Sequence, residues 1–178
     1  MLGSRKILTT LGLVLIVIFL SAFQSVFWYQ VVGPLSPPLL WLCFVNFFIL
    51  NRSAPQSLFL VYLLTLAASS QSAVGIGFLS LVMFFYFWVI VIIKDTLYIQ
   101  STSYFVLINF AGTCLFHVLY LLASYAVEEN PTQILFFERM TQILLTPLFS
   151  IPLYWALEKW ERWTQSSDSY LGEGRYES

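Results

Sequence analysis

Hydrophobic side chains form long runs along most of the chain, and short polar breaks separate these runs. The two shortest runs are 39–50 and 57–68, with the polar sequence Asn51-Arg52-Ser53 between them. A helix of twelve residues rises about 18 Å, whereas the hydrocarbon core of a bilayer is about 30 Å thick. Each short run must therefore include flanking residues to cross a membrane, and the extended runs 35–50 and 54–68 come closer to the required length.

Two interpretations of this short pair are possible. The runs either cross the membrane as two short spans or form a re-entrant hairpin that returns to the same side. The hairpin would place Arg52 at its tip, deep in the bilayer, where an unpaired cation costs roughly 3 kcal/mol or more. The pattern therefore favours two short spans, and both interpretations leave the orientation of the remaining spans unchanged.

Four longer runs, at 7–32, 75–93, 104–127 and 140–157, bring the number of predicted spans to six. The first run follows two basic residues and could instead belong to a secretory signal peptide. Its cleavage site is poor and its apolar character continues to residue 32, so a retained span is favoured. We therefore predict a six-span helical bundle over residues 1–163, followed by a short, polar, disordered tail over residues 164–178.

The composition predicts the structural class of the protein, and the distribution of Lys and Arg predicts its orientation in the membrane. The chain is 59% hydrophobic and 10% charged, which predicts an all-α integral membrane protein, because apolar runs of this length suit helices and not barrel strands. With the N-terminus and the C-terminus both inside, seven of the eight Lys and Arg residues are cytoplasmic, and only Arg139 is not. This agrees with the positive-inside rule. The sequence contains no basic patch interleaved with aromatic residues, so no nucleic-acid partner is predicted.

A polar stripe within the spans is the main candidate site. Asn109, Thr113 and His117 are spaced i, i+4 and i+8, so they share one face of their helix, and Asn46 could meet them from the second span. The favoured interpretation is hydrogen bonding between packed helices beside small residues. The alternative is a polar lining for a small ligand pocket or a proton path.

A second candidate contact is Glu138-Arg139, at the outer rim of the last span. Arg139 could reach a lipid phosphate or a partner's carboxylate, and the alternative is an interfacial residue that extends its charge to water. The sequence has no nucleophile–base pair, phosphate-binding Gly-rich loop or pair of membrane carboxylates, so we predict neither catalysis nor a cofactor. Its single histidine, His117, has no further ligands at suitable spacing, so no metal site is predicted.

The arrangement resembles the family of the rod-shape-determining protein MreD. The resemblance covers roughly residues 33–163 and depends on four features. These are the Pro-rich loop Gly33-Pro34-Leu35-Ser36-Pro37-Pro38-Leu39-Leu40, the short second and third spans, the small-residue turn at 69–77, and the last span from Phe137-Glu138-Arg139 through Thr146-Pro147-Leu148 to Trp163. The chain departs from the family at Thr65, where members often carry an acidic residue.

The resemblance implies a fold like that of the substrate-binding subunits of energy-coupling-factor transporters, in the bacterial inner membrane. It also implies a non-enzymatic scaffold of the cell-wall elongation machinery, which helps to maintain cell shape. The implied partners are the bitopic membrane protein MreC, the MreB filament, and RodA with its penicillin-binding protein. The alternative function is a subunit that binds a vitamin-like molecule for an energy-coupling-factor type transporter, using Asn46, Asn109 and His117.

Overall fold

The computed structural model describes residues 35–70, 74–96, 101–128 and 136–169, together with residues 12, 15, 28 and 30–33. In the last helix, side chains are described as far as Arg162. The predicted first span, 7–32, therefore lies almost entirely outside the described residues, and so does the end of the predicted tail, 170–178.

The described residues form five α-helices and no strand. Their bounds are α1 Leu40–Asn51, α2 Ala54–Ser70, α3 Ile76–Thr96, α4 Thr102–Val127 and α5 Phe136–Ser169. Three helical stretches, α3, α4 and Phe136–Arg162 of α5, are long and apolar enough to cross a membrane, whereas α1 and α2 are shorter apolar helices. The prediction of an all-helical membrane protein is confirmed as far as these helices and their apolar character go. The two short runs are also helices, with nearly the predicted bounds.

The shortest helix, α1, lies at the centre of the bundle. Every residue from Leu42 to Ile49 is buried, and α1 packs against each of the other four helices. A helix that is apolar around its whole circumference is stable only when other helices or lipid surround it. Because α1 is enclosed by protein on all sides, its polar residue Asn46 must find its hydrogen-bond partners on neighbouring helices.

Three charged side chains hold one end of this bundle together, which we call the Lys94 end. Lys94 Nζ donates to the carbonyl oxygens of Ile49 and Arg52, each at 2.8 Å. The last carbonyls of a helix have no partner within the helix, and a cation near them is favourable. Arg52 Nη2 lies 3.2 Å from Glu161 Oε1. These contacts bring together the C-terminal ends of α1 and α3 and the C-terminal part of α5.

Replacing Lys94 with Met should lower the free energy of unfolding by about 1–2 kcal/mol, because two charge-assisted hydrogen bonds are lost while the apolar stem is kept. The partial exposure of Lys94 keeps the loss at this modest size, since water can reach the freed carbonyls. Denaturant unfolding in detergent micelles measures the change. Lys159→Met is the matched control at an exposed position, and equal losses for the two variants would contradict the proposed role of Lys94.

The other end of α1 is anchored inside the bundle. The backbone N–H of Leu39 donates to Thr146 Oγ1 at 3.0 Å, and the Thr146 hydroxyl donates to the carbonyl of Gln142 at 2.7 Å. Thr146 lies about 15 Å along α5 from its first residue, Phe136. Helix α1 therefore begins well inside the bundle relative to the start of α5, and we call this opposite end of the bundle the Arg139 end.

The last helix is continuous and longer than its apolar segment. Pro147 and Pro152 lie inside α5, and the helix continues to Ser169, past the predicted end of the bundle at residue 163. Each proline removes one backbone donor from the helix. Ser150 Oγ donates to the carbonyl of Pro147 at 2.7 Å, so a buried hydroxyl is itself satisfied beside this interruption.

Candidate functional site

Four residues at the centre of the bundle form what we call the central polar network: Asn46, Tyr86, Asn109 and Gly112. Asn46 Nδ2 donates to Asn109 Oδ1 at 2.9 Å, and the Tyr86 hydroxyl donates to Asn46 Oδ1 at 2.6 Å. The exposed fraction of all three side chains is 0%. One asparagine of α1 therefore joins α3 and α4 through hydrogen bonds that are completely withdrawn from solvent.

Gly112 makes this network possible because it lets α4 approach closely. A Cβ atom built at Gly112 would overlap the Tyr86 hydroxyl and would lie 3.1 Å from Asn46 Nδ2. Small residues commonly allow such close approach between membrane helices. The absence of a side chain at Gly112 is therefore required for the hydrogen bond between Tyr86 and Asn46.

The remaining polar groups near the network bond within α4. Asn109 Nδ2 donates to the carbonyl of Phe105 at 2.8 Å, and the Thr113 hydroxyl donates to the carbonyl of Asn109 at 2.7 Å. Buried polar groups without such partners are costly, most of all where water is excluded. The side chains of Asn46, Asn109 and Thr113 are thus all engaged, and Thr113 contributes to its own helix and not to an inter-helix bond.

His117 belongs to a second group near the Arg139 end, the Arg139 cluster, which consists of His117, Tyr120 and Arg139. Arg139 Nη1 lies 3.3 Å from His117 Nδ1. The Arg139 guanidinium carbon lies 5.4 Å from the centroid of the Tyr120 ring, a distance typical of a cation–π contact. The structure therefore divides the predicted polar stripe, because Asn109 contacts Asn46 whereas His117 contacts Arg139.

Buried polar atoms without partners lie in and beside the Arg139 cluster. A guanidinium has only donors, so His117 Nδ1 must accept and Nε2 carries the proton. His117 is 5% exposed. Its Nε2 has no hydrogen-bond partner among the described residues. Neither has Oε1 of Gln142, which follows Arg139 by three positions on α5. Such groups cost about 1–3 kcal/mol each, so this cluster, unlike the central polar network, has unused hydrogen-bonding capacity.

The two residues predicted at the outer rim differ in their surroundings. Arg139 is partly buried and turns toward α4, whereas Glu138 is exposed. Glu138 has no ion-pair partner among the residues that the structure describes. Thr65, the position at which the chain departs from the MreD family, is 1% exposed, and its hydroxyl donates to the carbonyl of Val61 at 2.7 Å. The site of that departure therefore faces the interior of the bundle.

Tyr86 and Tyr120 are site residues that were not predicted from the sequence. Tyr86 lies in the aromatic block 84–88, in which its neighbours Phe84, Phe85 and Trp88 are exposed. The available signal was its hydroxyl, because a buried tyrosine usually places that group against a hydrogen-bond partner. Tyr120 follows His117 by three positions, and this spacing places it on the same face of α4 as the predicted stripe.

Within the described part of the chain, no group of three His, Cys, Asp or Glu residues is placed to hold a metal ion. Comparison with known proteins finds no matching family, curated protein or solved structure. The resemblance to the MreD family thus depends on the sequence features described above. Chemically, the central polar network is suited to joining helices, and the Arg139 cluster joins α4 to α5 through the contacts of Arg139 with His117 and Tyr120.

Proposed function

We propose that the protein is a non-enzymatic membrane scaffold of the bacterial cell-elongation machinery, as its resemblance to the MreD family implies. The observation that carries this proposal is the central polar network. Asn46 and Asn109, the two amides that a ligand pocket would need, are bonded to each other and to Tyr86. A network that is already satisfied fixes the packing of helices and leaves these amides unavailable to a transported molecule, which disfavours the transporter alternative.

The proposed architecture has six spans in the inner membrane, with both termini in the cytoplasm. The position of Arg52 supports two short spans over a re-entrant hairpin. Its carbonyl accepts from Lys94, which lies near the end of the long helix α3, so Arg52 lies at the depth of a span's end. A hairpin tip would lie near the middle of the bilayer, where Arg52 would be costly.

Reporter fusions test this topology. Fusions after Arg52, Lys94 and Thr164 should report a cytoplasmic location, and fusions near Ser36, Gln71 and Glu129 a periplasmic one. The prediction follows from the distribution of Lys and Arg and from the contacts at the Lys94 end. A periplasmic signal at Arg52 alone would favour the hairpin, and an inverted pattern at every position would overturn the proposed orientation.

A scaffold of this kind needs a surface for partners within the bilayer. The long helices present large apolar side chains outward, including Trp88 of α3, Leu122 of α4 and Leu144 of α5, which are 48%, 62% and 66% exposed. Membrane helices associate by packing such faces together, without a net hydrophobic drive. The span of a bitopic, MreC-like protein is the partner that we expect on one of these faces, with RodA and the MreB filament reached through the complex.

Purification of the tagged protein at native expression tests the proposed function. An MreC-like bitopic protein should copurify after mild detergent extraction. A photo-reactive aliphatic residue at Leu107, Leu122 or Leu144 should crosslink to that protein from at least one helix. The matched control is the same residue at Leu64, which is 1% exposed and should give no intermolecular product.

Two outcomes would contradict the scaffold. The protein could be recovered alone, without crosslinks at any exposed position. It could instead be recovered with an ATPase and a bound vitamin-like molecule visible by native mass spectrometry, which would establish the transporter alternative. The variant Asn109→Ala discriminates further, because it should destabilise the bundle in either case but should remove a bound vitamin only from a transporter.

A further inference from the structure

The described helices leave one side of α1 without a neighbouring helix. Around α1 they form an incomplete ring, in which α2 packs against α3, α3 against α4 and α4 against α5. No comparable packing joins α5 to α2 in the described part of the chain. At the Lys94 end, the ion pair between Arg52 and Glu161 bridges α5 and the turn before α2. We call the remaining side of α1, between α5 and α2, the open side.

Helix α1 is buried on the open side as well. Asn46 contacts α3 and α4, and Cys43 and Phe47 contact α5. Phe44 comes next around the circumference of α1, about 60° beyond Phe47 and about 100° beyond Cys43. Its exposed fraction is nevertheless only 1%. This burial indicates that a further part of the chain covers α1 between α5 and α2.

Phe149 lies on the flank of α5 that borders the open side. The ring of Tyr154 contacts Phe105 and so marks the side of α5 toward α4, and Thr146 marks the side toward α1. Phe149 lies about 60° beyond Thr146 and about 140° from Tyr154, which directs it away from α4. The ring of Trp28 contacts it edge to face, with 5.7 Å between the ring centroids. The described end of the first run, 7–32, therefore meets α5 on the open side.

The first run reaches this contact as the end of a helix. Residues 28, 30 and 31 are helical, the N–H of Val32 donates to the carbonyl of Trp28 at 2.8 Å, and Gly33 has φ +78°, which is typical of the residue that ends a helix. As a helix, the preceding residues 7–27 would extend about 31 Å. Toward the Lys94 end, α5 continues from Phe149 to Ser169, about 30 Å. In the opposite direction only about 20 Å of α5 is available.

We propose that the first run is a membrane helix that packs antiparallel to α5 on the open side and completes the enclosure of α1. Residues 33–39 connect this segment directly to α1, and Trp28 already contacts Phe149, so this segment is favoured over the helix of another protein. Such packing requires a retained span and not a removed signal peptide. It also makes α1 inaccessible to a partner, which must then bind an outward face of another helix.

Disulfide formation in membranes that contain the full-length protein tests the proposal. Ser21 precedes Trp28 by about two helical turns, and Ala156 follows Phe149 by the same distance. Antiparallel packing therefore brings positions 21 and 156 together. The pair Ser21→Cys and Ala156→Cys should form an intramolecular disulfide about tenfold faster than the matched control pair Phe19→Cys and Ala156→Cys. Position 19 would face away from α5, and cysteines whose Cα atoms are more than about 7 Å apart cannot be bridged.

Intact mass spectrometry after thiol alkylation counts the free cysteines and shows whether residues 7–32 are present. The single variants Ser21→Cys and Ala156→Cys reveal any bond to the native Cys43 or Cys114, and thermal unfolding checks the fold of each variant. Equal rates for the two pairs overturn the proposal, as does a product that consists only of disulfide-linked dimers. A protein that lacks residues 7–32 in the membrane also overturns it. Because the test concerns a single chain, its result is independent of partner copurification.

Discussion

Replacing Gly112 with Ala should lower the free energy of unfolding by about 2–4 kcal/mol, although the change adds only one methyl group. The new Cβ would overlap the Tyr86 hydroxyl, and Tyr86 is completely buried, so its ring can move only by displacing the side chains around it. Either α4 moves away from α3, which loosens the packing, or the hydrogen bond from Tyr86 to Asn46 breaks. Denaturant or thermal unfolding in detergent measures the loss.

A second substitution separates this overlap from a general effect on the helix. In a Tyr86→Phe background the hydroxyl is absent. The new Cβ would then meet the ring carbon Cζ at 3.4 Å, an ordinary contact distance, and Asn46 Nδ2 at 3.1 Å, which needs only a small shift of the amide. Gly112→Ala should therefore cost clearly less in that background than in the parent. Gly77→Ala is the matched control, because nothing lies within 4 Å of its new Cβ. Equal costs in the two backgrounds would show that the hydroxyl contact does not limit this position.

The positions of the helices could be predicted because membrane spans are specified locally. An apolar run bounded by polar residues is sufficient to predict a helix, and the short run 39–50 corresponds to the helix Leu40–Asn51. For α2, which is Ala54–Ser70, the apolar run 57–68 was too short at both ends, whereas the extended run 54–68 gave the correct start and missed the last two residues. Small and weakly polar residues are compatible with a helix but add little to an apolar pattern. Where such residues form the end of a helix, that end is difficult to locate from the sequence.

The partners of the polar residues could be predicted only in part, because spacing fixes the face of one helix and not the neighbour that covers it. Asn109 and His117 share a face of α4, but they are separated by about 12 Å along its axis. The short helix α1 meets α4 at Asn109, whereas α5 contributes Arg139 at His117. The length and depth of α1 decide this division, and both depend on how the whole bundle packs.

Asn46→Leu should be as damaging as Gly112→Ala, with a loss of about 2–5 kcal/mol. A hydrogen bond between membrane helices contributes only about 0.6 kcal/mol on average. The larger loss arises because Asn46 bonds to both Tyr86 and Asn109. Its removal leaves the Tyr86 hydroxyl and Asn109 Oδ1 buried without partners, at about 1–3 kcal/mol each. Asn51→Leu is the matched control at an exposed position, where only one hydrogen bond, to the carbonyl of Phe47, is lost, and we expect a change of about 1 kcal/mol or less.

Removing the Tyr86 hydroxyl and the Asn109 amide, which Asn46→Leu leaves without partners, should then restore stability. The triple variant Asn46→Leu, Tyr86→Phe and Asn109→Leu contains no unpaired polar side chain at the centre of the bundle, so it should be more stable than Asn46→Leu alone. If the network determines which helices meet, the triple variant should still unfold cooperatively on heating, but its helices should pack less specifically. Crosslinking between cysteines placed on α1 and α4 would then give products in several registers. A triple variant as unstable as Asn46→Leu would instead show that the shape of Asn46, and not its hydrogen bonds, holds the three helices together.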